Sequence, residues 1–158
     1  MEIKFEGIII AQLFIAFILG AIVGLEREGH GNENAAGIRT YAAVTLGAAL
    51  FTLIGIHSDD PTASGRIVAN IVTGIGFLGA GIMYQDKAKG LTHGLTTASS
   101  VWATAAVGVA VAYNLYFIAV AATGAIYFLL ALHHFKWYIR FKEKIAHTND
   151  NQSTAKSD

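Results

Sequence analysis

An all-α, polytopic membrane helix bundle of five spans is the fold this sequence predicts, and three observations predict it. Of 158 residues, 54% are hydrophobic and only 14% charged, with a mean hydropathy of +0.50; soluble domains carry about 25% charged residues. The apolar residues gather into runs of bilayer length. The 11 Lys and Arg fall almost entirely on one side of the alternation those runs impose. The same arithmetic disfavours a soluble enzyme and a nucleic-acid binder, because 11 Asp and Glu leave no basic excess. No cysteine is present, hence no disulfide framework, thiolate metal site or cysteine nucleophile.

A helix needs about 20 residues to cross ~30 Å of hydrocarbon. Residues 8–25 form the first such run. The lead 1–7 holds two Glu and one Lys where a signal peptide would be basic, and no small-x-small site follows before Glu26, so this run reads as a retained span. Residues 41–56 and 67–84 are the second and third runs. The last, 97–133, would be roughly 55 Å long as one helix, more than tilt absorbs. Tyr113-Asn114-Leu115-Tyr116 breaks it, since Asn favours a turn and Tyr an interface, giving spans 95–113 and 115–132. The membrane domain is thus 1–134. Residues 135–146 mix aromatics and cations, which suits either an interfacial helix on an anionic leaflet or a basic end that only fixes orientation. The polar tail 147–158 is expected to be disordered.

Charge placement tests the count independently. With five spans, one side holds only Lys4 and Arg66, and the other holds the remaining nine cations, from Arg27 and Arg39 to Lys156. The positive-inside rule puts the nine in the cytoplasm, the N-terminus outside and the C-terminus inside. A weak internal repeat at an offset of 57 pairs Gly24 with Gly81, Gly37 with Gly94 and Thr40 with Thr97, over 11–51 and 68–108. Such a repeat would be a parallel duplication of two helices.

Glycine recurs inside the spans. Gly74-Ile75-Gly76-Phe77-Leu78-Gly79 spells a dinucleotide fingerprint, but it lies mid-span, where no strand precedes it and no helix starts. Close helix packing is the physical reading for Gly20, Gly24, Gly74, Gly76, Gly79, Gly81 and Gly94; a locally loosened helix lining a cavity is the alternative for the 74–81 run. Glu26-Arg27-Glu28, with Arg39 entering the next span, is the densest ionisable cluster, and Glu26 or Glu28 could reach Arg39. A divalent-cation site from Glu26, Glu28 and Asp86 is chemically allowed, though the Arg residues oppose it. Thr97, Ser100 and Thr104 share one helical face, as do Asn70 and Thr73, and read as interhelical glue or, less simply, a polar pathway. Gly94 helps start the fourth span, with Thr96 or Thr97 as its cap. His57, Asp59 and Asp60 before Pro61 read as a turn rather than a cation site. No catalytic constellation is found and no cofactor is expected.

At these residues the chain closely resembles the MgtC/SapB family of bacterial inner-membrane proteins. The matching stretches are Gly20-Ala-Ile-Val-Gly-Leu-Glu-Arg-Glu28, Gly37-Ile-Arg-Thr40 with Leu46-Gly-Ala-Ala-Leu-Phe-Thr52, Gly74-Ile-Gly-Phe-Leu-Gly-Ala-Gly-Ile82, and Gly94-Leu-Thr-Thr-Ala-Ser-Ser-Val-Trp102. The resemblance implies a multi-pass inner-membrane protein of about five helices. It implies a family linked to growth in low magnesium and survival in macrophages, whose members look like regulators of membrane partners, including the proton-translocating ATP synthase and phosphate uptake, rather than magnesium pumps. The positions matching the family's shared polar residues are Glu26, Arg27, Glu28, Arg39, Arg66, Asn70 and Thr97. Many relatives carry a soluble C-terminal domain, whereas this chain ends soon after the last span, which puts transfer of the virulence role in doubt. The expectation is a non-enzymatic regulator of magnesium or phosphate homeostasis, or of membrane energetics, working through helix-helix contact with a membrane partner or its own copy. A small cation transporter is the alternative.

Overall fold

The computed structural model describes residues 2–28, 36–86 and 91–132, the side chains of 2–5, 86 and 91 apart. All five expected helices are present: α1 (Glu2–Glu28), α2 (Ile38–Ile56), α3 (Ala63–Ile82), α4 (Leu95–Ala112) and α5 (Tyr116–Ala131). The first four are long and apolar enough to cross a membrane. α5 is apolar throughout, but its 16 residues rise about 24 Å at ~1.5 Å each, short of a full ~30 Å hydrocarbon core. The expected segments 135–146 and 147–158 lie outside the described residues.

Most helix boundaries shift by one to six residues from expectation, α1 starting at Glu2 rather than residue 8 and α2 at Ile38 rather than residue 41. The third helix stops at Ile82 rather than Tyr84, because Met83 turns extended (φ −80°, ψ 131°). Residues that read as a loop then pair as an antiparallel hairpin, β1 (Tyr84–Asp86) with β2 (Leu91–His93). The Tyr84 and His93 rings stack with centroids 5.1 Å apart, a cross-strand aromatic pair at the base of the hairpin. The break after α4 is where the sequence put it. Asn114 sits at φ 61°, Leu115 N–H reaches back to the Ala110 carbonyl (2.9 Å) and Asn114 N–H to that of Val111 (3.0 Å). This is a Schellman stop, with Asn in the left-handed position it tolerates better than most residues.

The residues up to Tyr127 form one compact unit, and a second begins at Phe128. Within the first, α1 packs on α2, both pack on α4, and α3 lies against α2 and α4. Thr45 of α2 is the pivot. A Cβ at Gly20 of α1 would overlap its hydroxyl, and one at Gly108 of α4 would overlap its carbonyl. Both helices therefore approach α2 at the same residue, a distance only glycine allows where lipid supplies no hydrophobic drive. Gly24 meets Ile38 in the same way, and Gly55 would place a Cβ 2.8 Å from Ser64 Cα of α3.

The glycine-dense segment behaves otherwise. A Cβ added at Gly74, Gly76 or Gly81 would meet nothing within 4 Å, and one at Gly79 would make only an ordinary contact with Ala98 at 3.6 Å. Among the described residues the expected packing role is thus absent at three of those positions, because they point away from α2 and α4. Only 11% of the α3 span is buried, against 61% for α4.

At the opposite end from the Glu26–Glu28 segment, the turn before α3 is built on Asp60. Its carboxylate accepts from the Thr62 hydroxyl (2.7 Å) and backbone N–H (2.8 Å) and pairs with Arg66. The Thr62 hydroxyl first, then its N–H, with Arg66 assisting, hold the Asp60 carboxyl below the usual carboxylate range. A lowered folded-state pKa stabilises above the unfolded value, near pH 4, and that contribution disappears as pH falls through the folded value. Thermal midpoints of wild type and Asp60→Asn should therefore differ by a constant amount above about pH 5 and converge on acidification below about pH 4. A difference that grows on acidification would contradict this account of the turn.

Candidate functional site

The polar cluster expected around Glu26, Arg27, Glu28, Arg39, Arg66, Asn70 and Thr97 does not assemble as one site. Consecutive residues on a helix diverge by about 100°, and the three charges ending α1 serve three different neighbours. Glu28 accepts a hydrogen bond from the Ile38 N–H (3.1 Å) and so supplies the anionic cap that Gly37, the N-cap of α2, lacks. Glu26 is buried, with the Tyr127 phenol of α5 beside its carboxylate. Arg27 donates to the Thr97 hydroxyl of α4 at 2.8 Å.

The remaining candidates lie elsewhere. Arg39 is exposed, and no ion pair joins it to Glu26 or Glu28 among the described residues. The anticipated carboxylate–Arg39 clamp is replaced by Glu28 on a backbone N–H, since the chain enters α2 directly beneath that side chain. Arg66 belongs to the Asp60 turn, and Asn70 is exposed on α3. Asp86 closes β1, with its side chain outside the described residues. Among the described residues no three His, Cys, Asp or Glu side chains converge as a metal site. Arg39→Ala should accordingly change stability by less than about 0.5 kcal/mol, and Glu28→Gln should lower it by a few tenths to about 1 kcal/mol, read from thermal or denaturant unfolding in detergent. A larger loss for Arg39→Ala than for Glu28→Gln would contradict this geometry.

Around Arg27 the arrangement is compact. The Tyr41 phenol of α2 faces the same guanidinium and hydrogen-bonds Ser100 Oγ at 2.6 Å. Ser100 in turn directs its proton to the Thr97 carbonyl (3.0 Å), which makes the phenol the donor. Arg27, Tyr41, Thr97 and Ser100 thus tie α1, α2 and α4 together at one end. The neighbouring hydroxyls go no further: Thr45, Thr52 and Thr104 are fully buried, each bonded to the carbonyl four residues back in its own helix. That is local satisfaction in a packed interior rather than a lined pathway. Neither Thr96 nor Thr97 caps α4. Gly94 is the N-cap itself, at φ 86°, where any Cβ would also strike the Ile82 carbonyl.

Three residues that matter were not singled out from the sequence. Gly108 is the single glycine of α4 and Gly55 shares α2 with Gly47 alone, both away from the glycine-rich runs. Gln12 was the more legible, as the one amide in the otherwise apolar run 8–25. Its side chain is buried and donates toward the Val111 and Ala112 carbonyls (3.2 and 3.3 Å) and Asn114 Oδ1 (3.2 Å), sealing the end of α4.

Comparison with known proteins places this arrangement. The family model described as the MgtC family matches residues 13–136. The protein MgtC of Salmonella typhimurium (strain 14028s) is 41% identical over 114 residues, covering 72% of this chain and 47% of that protein. The protein SrpB of Synechococcus elongatus is 34% identical over 137 residues, 79% of this chain and 73% of its own length. An uncharacterised Haemophilus influenzae protein is 34% identical over 125 residues, 73% of this chain and 51% of its own. The chain spans about half the length of the MgtC relatives it matches. No solved structure matches.

Proposed function

Because the chain belongs to the MgtC family, we propose that this multi-pass membrane protein is a non-enzymatic regulator of the bacterial cytoplasmic membrane. It would act on magnesium or phosphate homeostasis, or on membrane energetics, through helix-helix contacts with a membrane partner. The N-terminus then lies outside and the nine-cation side in the cytoplasm, as the charge bias requires.

The observation that supports a contact-based role is the contrast between interior and surface. The buried hydroxyls of α2 and α4 are packed and locally satisfied, while α3 leaves Asn70, Thr73, Gly74, Gly76 and Gly81 exposed. Helix faces turned to lipid carry bulky apolar groups, as α1 does with Ile10, Phe14 and Leu25. Small residues and an amide on a membrane helix suit another helix.

Crosslinking and co-purification from native membranes, at low and high magnesium, test this. A partner helix should be recovered with wild type and lost with Gly74→Leu, at a position where an added Cβ meets no atom within 4 Å among the described residues. Recovery of no partner at any magnesium level would overturn the proposal. So would magnesium flux into liposomes that Glu26→Gln abolishes, an outcome that would make the protein a transporter.

A further inference from the structure

We infer that α3 is the contact between two copies of this chain, paired in parallel along the seam Asn70, Gly74, Phe77 and Gly81. This rests on the contact-based reading above and names the partner that the helix fits. The four residues stand 4, 3 and 4 apart, the spacing by which one helix meets another along its length. At about 100° per residue they share one side of α3, opposite the side that carries the buried Ile75 and Gly79. All four are exposed, Phe77 to 81%. A Cβ added at Gly74 or Gly81 would meet nothing within 4 Å among the described residues.

Two features choose a second copy over lipid or an unlike helix. The first is the Asn70 amide, which makes no hydrogen bond among the described residues. It lies about 10 Å in from the start of α3, at ~1.5 Å per residue, a depth that holds neither water nor a polar lipid group. A carboxamide both donates and accepts, so two of them related by a two-fold axis satisfy each other. Both copies insert in the same orientation, so that axis runs along the membrane normal and Asn70 meets Asn70 at one depth. A single Asn in such a seam also fixes the register. The second feature is shape. Phe77 projects, and Gly74 and Gly81, one turn to either side of it, leave room for the ring of the other copy. A seam that carries both the knob and the holes is self-complementary, as a two-fold contact requires.

Because the chain has no cysteine, single cysteines in the full chain report its neighbours in oxidised native membranes. Gly74→Cys and Gly81→Cys should form disulfide-linked dimers, whereas Val72→Cys and Gly76→Cys, exposed on other sides of α3, should not. Two differently tagged wild-type copies should co-purify, Gly74→Leu should abolish that pairing, and Gly76→Leu should leave it intact. Asn70→Leu should weaken dimerisation in lipid about tenfold, and Asn70→Gln, which keeps the amide, should recover part of the loss. If Gly74→Leu does not fold, the cysteine pattern and the Asn70 pair still decide. Crosslinking no stronger at Gly74→Cys and Gly81→Cys than at Val72→Cys, or tagged wild-type copies that do not co-purify, overturns the inference. Crosslinking of Gly74→Cys to an unlike protein without self-pairing overturns it too, but leaves the contact-based reading standing. Recovery of nothing at all overturns both.

Discussion

Replacing Gly108 by alanine should cost about 2–4 kcal/mol and leave little folded protein, although it adds a single methyl group and exchanges the poorer helix former for the best one. The reason is local. The new Cβ would overlap the Thr45 carbonyl and lie 3.0 Å from the Ala49 N, both backbone atoms of α2 that no rotamer change can move. To admit it, α4 must back away from α2, and with it goes the register that brings Ser100 to Tyr41. Gly74→Ala is the internal control. It meets nothing within 4 Å, so helix propensity alone acts and stability should hold or rise by up to about 1 kcal/mol. Reversible unfolding in mixed micelles reads both variants. Equal behaviour of the two would show that α2 and α4 do not pack as described.

Gln12→Leu should be the second most damaging of these changes, at about 1–3 kcal/mol, despite making the first span uniformly apolar. Composition alone would call the substitution favourable in lipid. The geometry opposes that, because the Gln12 amide is the donor reaching the Ala112 carbonyl that the Schellman bonds of Asn114 and Leu115 leave open. An unsatisfied carbonyl at a helix end near hydrocarbon has no water to turn to. Gln12→Asn, one methylene shorter, should not restore the loss, because the amide then falls short of α4. Stability of Gln12→Leu equal to or above wild type would place the end of α4 in water.

The helices were readable because hydrophobic run length is a property of the chain itself. So was the break at Asn114, since turn preference is local. Facing directions were not readable. Glycine density pointed to 74–81, yet the glycines that admit a neighbour's backbone are Gly20, Gly24, Gly55 and Gly108, and which face of a helix is covered depends on residues far along the chain. Charge adjacency misled in the same way. Glu26, Arg27 and Glu28 touch in sequence, but helical rotation sends them to α5, α4 and α2. The repeat pairs Gly37 with Gly94, and both are N-caps, but at φ −108° and 86° respectively. One start received an anion from α1 and the other a cation. That difference is invisible in the alignment of the two halves.

The central claim is that α1 to α4 cross a bilayer, so that the α2–α3 turn and the β-hairpin face opposite compartments. The chain has no cysteine, so single cysteines report without background. Asp59→Cys and Gln85→Cys, both at exposed positions, should be labelled by a membrane-impermeant maleimide from opposite sides: Asp59→Cys in intact spheroplasts, Gln85→Cys only after the membrane is opened. Labelling of both from the same side of a sealed membrane would contradict the account.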